Sequence, residues 1–159
     1  MSTQAQAQEA DILALPSGDN KLEYPLLKPD KIYRFTIKSA ELVDAKSDKA
    51  PEGGQNLTIK LATSKDEMST KDEVLHAGYV ITKYIPTYAI EKRGMQRVKD
   101  DLDTINQAVF GKSTKLSARD LLNDPSKIVG KPIDGKVGIN VDKSGQFSDS
   151  NTVRFIVPE

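Results

Sequence analysis

The residues of this chain most like catalytic machinery are Phe110-Gly111-Lys112-Ser113-Thr114, whose Gly-Lys-Ser core matches the end of a phosphate-binding loop. Such a loop needs an earlier glycine, a strand leading in and a helix leading out, so that backbone N–H groups and the lysine meet the phosphates. Asn106 stands where that earlier glycine belongs, and the residues upstream have helical spacing. The string therefore predicts a helix stopped by Gly111, a residue suited to the left-handed position after a helix, and no nucleotide site. His76 is the single histidine and cysteine is absent, so neither acid–base chemistry nor a Cys/His metal site has a partner for it. Asp66-Glu67, Asp72-Glu73 and Asp100-Asp101 offer carboxylates to a hard cation. The first two pairs fall in a polar stretch, and the third opens a helix, where acidic residues favour the macrodipole. The expectation is a protein that is not an enzyme and that uses no cofactor or metal.

What remains able to act is a set of cations and aromatic rings. The chain as a whole is balanced, with 23 basic and 23 acidic residues among 159. Its overall field is thus not that of a histone-like DNA binder. Charge is instead local: Lys83 to Lys99, KYIPTYAIEKRGMQRVK, holds five basic residues against Glu91. With no cysteine a disulfide scaffold is excluded. No apolar run approaches the roughly 20 residues that cross a bilayer, and MSTQAQAQEAD lacks the basic and apolar regions of a signal peptide. The expected location is a cytoplasm.

The elements that must position these groups follow from periodicity. Residues 1–22, rich in Gln, Ala, Asp and Ser, predict a flexible arm ahead of a single domain over 23–159. In KIYRFTIKSAELV, Tyr33, Phe35 and Ile37 alternate with Arg34, Thr36 and Lys38, a strand with an apolar and a basic face. NLTIKLA repeats the pattern with Leu57, Ile59 and Leu61, and VLHAGYVITKYIP predicts a third strand closed by Pro86. From about Met95 to Phe110 the period turns helical through Val98, Leu102, Ile105 and Val109. Ser117 and Asp120 have the spacing of a capping box that opens a second, short helix. Val137, Ile139 and Val141, then Val153, Phe155 and Val157, mark two closing strands.

Three strands, a helix, a shorter helix and two strands make a mainly β chain, in the order of an OB-fold, a five-stranded and partly open Greek-key barrel. An open α+β sheet and a β-sandwich missing strands fit the same string. The stretch from Lys28 to Pro158 also resembles the small single-stranded-DNA-binding proteins that bacteriophages encode in replication and recombination modules. The resemblance is carried by LKPDKIYRFTIKSAELV, by GGQNLTIKL, by a middle helix ending in Phe110-Gly111, by the Gly130-Lys131 turn and by SNTVRFIVP. The chain departs from the pattern in having few aromatic residues, 6%. The resemblance implies sequence-independent binding of single-stranded DNA, replication or recombination proteins as partners, and residence in the host cytoplasm if the chain is phage-encoded. A homo-oligomer is compatible with the sequence.

If the apolar sets face inward, the outward set holds Arg34, Lys38, Thr58, Lys60, His76, Tyr84, Lys136 and Arg154. Cations for phosphate and flat rings for unpaired bases are what a single strand needs. Tyr88, Lys92, Arg93 and Arg97 in the basic segment, and Phe147 in KSGQFSDS, extend that track. The competing expectation is a virion component that decorates a shell, favoured by zero net charge and a polar N-terminal arm.

Overall fold

The computed structural model describes residues 25–46, 50–88, 92–144 and 148–159. The expected arm over 1–22 and Phe147 lie outside these residues. The elements in chain order are β1 (Lys31–Asp44), β2 (Gln55–Thr63), β3 (Glu67–Met68), β4 (Val74–Leu75), β5 (Val80–Pro86), α1 (Lys92–Phe110), α2 (Ala118–Asn123), a 3-10 turn (Pro125–Ile128), β6 (Pro132–Asn140) and β7 (Ser150–Phe155). Five strands form one antiparallel sheet in the order β5-β2-β1-β6-β7, and β3 pairs with β4 in a two-stranded ribbon. Among the described residues the fold is thus mainly β with two α-helices. The sheet is not closed into a barrel: β5 and β7 are its two edges.

β1 is long because it serves two partners. Lys31–Thr36 pairs with β6, and Phe35–Asp44 pairs with β2. Between the two regions the register shifts at Ile37/Ser39, which leaves Lys38 as a bulge. A bulge adds one residue to one strand and so reverses which side chains point inward. Tyr33, Phe35 and Ile37 are buried before it, and Ala40 and Leu42 pack on the core after it. The inward residues of β2, Leu57, Ile59 and Leu61, are fully buried. Against this face α1 packs Leu102, Ile105 and Ala108, and Leu121 and Ile128 complete the cluster.

The helical punctuation follows its chemistry. Gly111 takes φ +100° after α1, and its N–H bonds to Gln107 O at 2.9 Å. Asn106 is buried in α1 and donates through Nδ2 to Ser117 O at 3.0 Å, fastening the loop that leads into α2. FGKST is therefore the end of a helix and a turn. Ser117 Oγ accepts from Asp120 N at 3.1 Å and Asp120 Oδ2 accepts from Ser117 N at 2.9 Å, the expected capping box. Hydrogen bonds to the carboxylate from the Ser117 backbone N–H, and then from its side chain, hold the Asp120 carboxyl below its ordinary range.

Three expectations need correction. The third strand does not run from Val74 to Pro86: Gly78, at φ +93°, turns the chain, so that Val74–Leu75 joins a separate ribbon and the sheet strand starts at Val80. Ala77 and His76 consequently lie in a turn rather than on the sheet. The polar stretch before it is also not a linker. Glu67 is buried and takes a bond from Lys31 Nζ at 3.3 Å, and Ser69 is fully buried with its Oγ accepting from Lys71 N and Glu73 N. Finally, β7 ends at Phe155, and Val157 is only half-buried beyond it.

Candidate nucleic-acid interface

The outward face is assembled where β2 and β5 pair. Tyr84 stands opposite Thr58, and Thr82 stands opposite Lys60. Tyr84 is thus the diagonal neighbour of Lys60 on one face, a separation that long side chains bridge. Tyr84 is 64% exposed, while Ile81 and Ile85 on the opposite face are buried. A tyrosine this open at the centre of a strand gains little from packing. Both Lys60 and Tyr84 are where the sequence places them.

Beyond the strand the chain leads on toward α1. Thr87 fastens the end of β5 to β2 through two bonds to Gln55 O, from its N–H at 3.1 Å and from its Oγ1 at 2.8 Å. Tyr88 follows, half-buried, with its ring against Gly54 in the β1–β2 loop, where a side chain on residue 54 would meet Tyr88 Cδ1 at 3.1 Å. Tyr84 and Pro86 share the parity of the outward face of β5, and Tyr88 lies beyond the strand. Arg93 and Arg97 are exposed, four residues apart in the first half of α1, and the first helical turn holds no acidic residue. Lys92 opens that turn. Cations at a helix N-terminus stand against the macrodipole, so this helix start is electropositive twice over.

Other members of the expected set lie elsewhere. Arg34 is exposed but forks onto Asp134 through Nε and Nη2, which raises its pKa further and offsets its charge with a carboxylate. Asp134, opposite Arg34, and Glu41, opposite Thr58, thus set carboxylates among the outward cations. Lys136 faces Arg154 across β6 and β7, and both line a shallow cleft of 260 Å³ together with Asp30. Lys38 is exposed at the bulge. Thr58 is 9% exposed and offers its neighbours more than a ligand. His76, exposed in its turn, approaches Asp66 at 3.7 Å. Lys60 thus stands with Tyr84 on β2 and β5, and Lys136 stands with Arg154 on β6 and β7.

No protein-family profile matches the chain, and no curated protein matches it in sequence. Among the described residues no cluster of His, Cys, Asp or Glu could hold a metal ion, and no helix is long and apolar enough to cross a membrane.

One surface feature has no counterpart in the sequence reading. Between β5 and β7 runs an open groove of 510 Å³ lined in part by Leu26, Tyr79, Ile81, Lys83 and Val153. Lys83 stands opposite Ile59 in the pairing and points inward, where its Nζ donates to Val153 O at 2.6 Å and lies 5.5 Å from the Phe155 ring centroid. Burial pushes its pKa down, opposed by the charge of Asp101. Parity was the available signal: Lys83 shares its alternation with Ile81 and Ile85.

Proposed function

We propose that this protein binds single-stranded nucleic acid, largely without sequence preference, on the outward face of β2 and β5. The sheet order β5-β2-β1-β6-β7 with a helix between β5 and β6 supports an OB-like reading in which the barrel is left open at the β5/β7 seam. The observation that carries the proposal is Tyr84, an exposed ring beside Lys60 on the pairing that OB-folds use for oligonucleotides. A base stacks on the ring and the ammonium meets its phosphate; Tyr88, Arg93 and Arg97 prolong the path toward α1. No step in this function makes or breaks a covalent bond, so the protein acts as a binder rather than an enzyme. Replication or recombination of DNA, in a phage setting, is the process in which such a binder would serve.

The test is a gel shift with a labelled oligonucleotide of about 30 nucleotides, longer than the roughly 4–16 that one OB fold covers. Single strands should shift at low salt and the matching duplex should not compete. Absence of any shift at micromolar protein would remove the proposal and leave the virion-component reading.

A further inference from the structure

The outward face does not stop at the edge of the sheet. Tyr84 on β5 lines the groove at the β5/β7 seam, and so do Thr82 beside it and Thr152 across it on β7. Thr152 and Val153 also line the cleft that holds Lys136 and Arg154, so the two depressions meet on β7. Lys83, on the inward side of β5, reaches across the seam to Val153 O at 2.6 Å. That bond ties the two edges together at the crossing.

Beyond the seam the cleft repeats the chemistry of the Tyr84 site. Lys136 and Arg154 stand opposite each other on β6 and β7, and exposed Ile32 of β1 stands opposite Lys136 on its other side. Two cations thus share a row with an apolar side chain on which a base can rest. Gly138, opposite Thr152, leaves bare backbone in the cleft, and a Cβ there would meet Thr152 Oγ1 at 2.8 Å. A strand interior without a side chain admits close approach of a ligand. Two carboxylates lie along the way: Asp149 in the groove accepts from Asp142 N at 3.0 Å, and Asp30 in the cleft stands against two cations. We propose that the bound single strand crosses the β5/β7 seam from Tyr84 over Thr152 to a second subsite, where Arg154 and Lys136 take two phosphates and Ile32 supports a base. This crossing rests on the nucleic-acid reading of the β2/β5 face and extends it to β6, β7 and β1.

The test is fluorescence anisotropy of the full-length protein with labelled oligothymidylates of about 4 to about 16 nucleotides, the range that one OB fold covers. Wild type should gain affinity up to the longer probes. Lys136→Ala with Arg154→Ala should stop gaining at shorter probes, and on the longest its slope of log K against log salt should fall by about 1.4, two phosphates at about 0.7 each. Thr152→Glu, at an exposed position on the crossing, should likewise weaken the long probes and spare the short ones. Lys112→Ala with Lys127→Ala removes the same charge from exposed positions on either side of α2 and should do neither. Tyr84→Ala should weaken short and long probes alike. Wild-type length dependence and salt slope in the variant lacking Lys136 and Arg154 would overturn the crossing and leave the β2/β5 site standing, and so would a loss no greater than that of the remote control. No binding by wild type at any length would remove the nucleic-acid reading and the crossing with it.

Discussion

Gly135 of β6 lies so close under Val153 of β7 that any side chain at 135 would overlap Val153 Cγ2, with Phe35 Cε2 only 3.4 Å away on the other side. The glycine is required by packing and not by its backbone angle. Gly135→Ala should therefore cost about 1–3 kcal/mol, the usual effect of overpacking a core. Val153→Ala costs stability alone but should recover part of it in the double variant. Urea denaturation of the four proteins measures the coupling, and strict additivity would contradict the packing argument.

Asn151 should prove a structural residue. Its amide serves Leu27 N and O and also donates to Gly138 O at 3.2 Å, so one side chain ties the entering chain to two strands. Asn151→Ala leaves backbone groups of the fully buried Leu27 without partners, a loss of about 2–4 kcal/mol for two bonds. Asn151→Asp would face two carbonyls with a charge and should regain stability as acid protonates it. A Tm unchanged in both variants would refute this role.

Lys83 gives a pH signature. Its folded pKa is depressed by burial, so between that value and the unfolded one of about 10.4 the unfolded chain binds more protons and stability rises with pH. Tyr33 and Tyr79, whose pKa values burial raises, act in the opposite sense at higher pH. The difference between wild type and Lys83→Met isolates the lysine. That difference should shift in favour of wild type as pH climbs toward 10, measured by chemical denaturation, and a pH-independent difference would show that the amine is already solvated.

Much of this was legible before any coordinates. Tyr33, Phe35 and Ile37, with Leu57, Ile59 and Leu61, announce their faces because a half-buried strand must alternate, and the Ser117/Asp120 spacing announces its helix. The Lys38 bulge was not legible by simple alternation, although the interval of three from Ile37 to Ala40 marks the reversal. Glu67 and Ser69 read as polar linker because their burial depends on Lys31 and on a two-stranded ribbon that no local propensity encodes. Among the site residues, Tyr84 and Lys60 were placed by parity, while the Arg34–Asp134 fork required the pairing of β1 with β6. That pairing joins residues 100 positions apart.

The direct test of the β2/β5 face is fluorescence anisotropy of a labelled single strand with wild type, Tyr84→Ala and Lys60→Ala over a range of salt. Tyr84→Ala should weaken binding by about 1–3 kcal/mol at fixed salt, the value of one stacked base, while its exposed position leaves the Tm unchanged. Lys60→Ala should instead reduce the slope of log K against log salt by about 0.7, one phosphate's worth on a single strand. Wild-type affinity retained in both variants would contradict this face as the site.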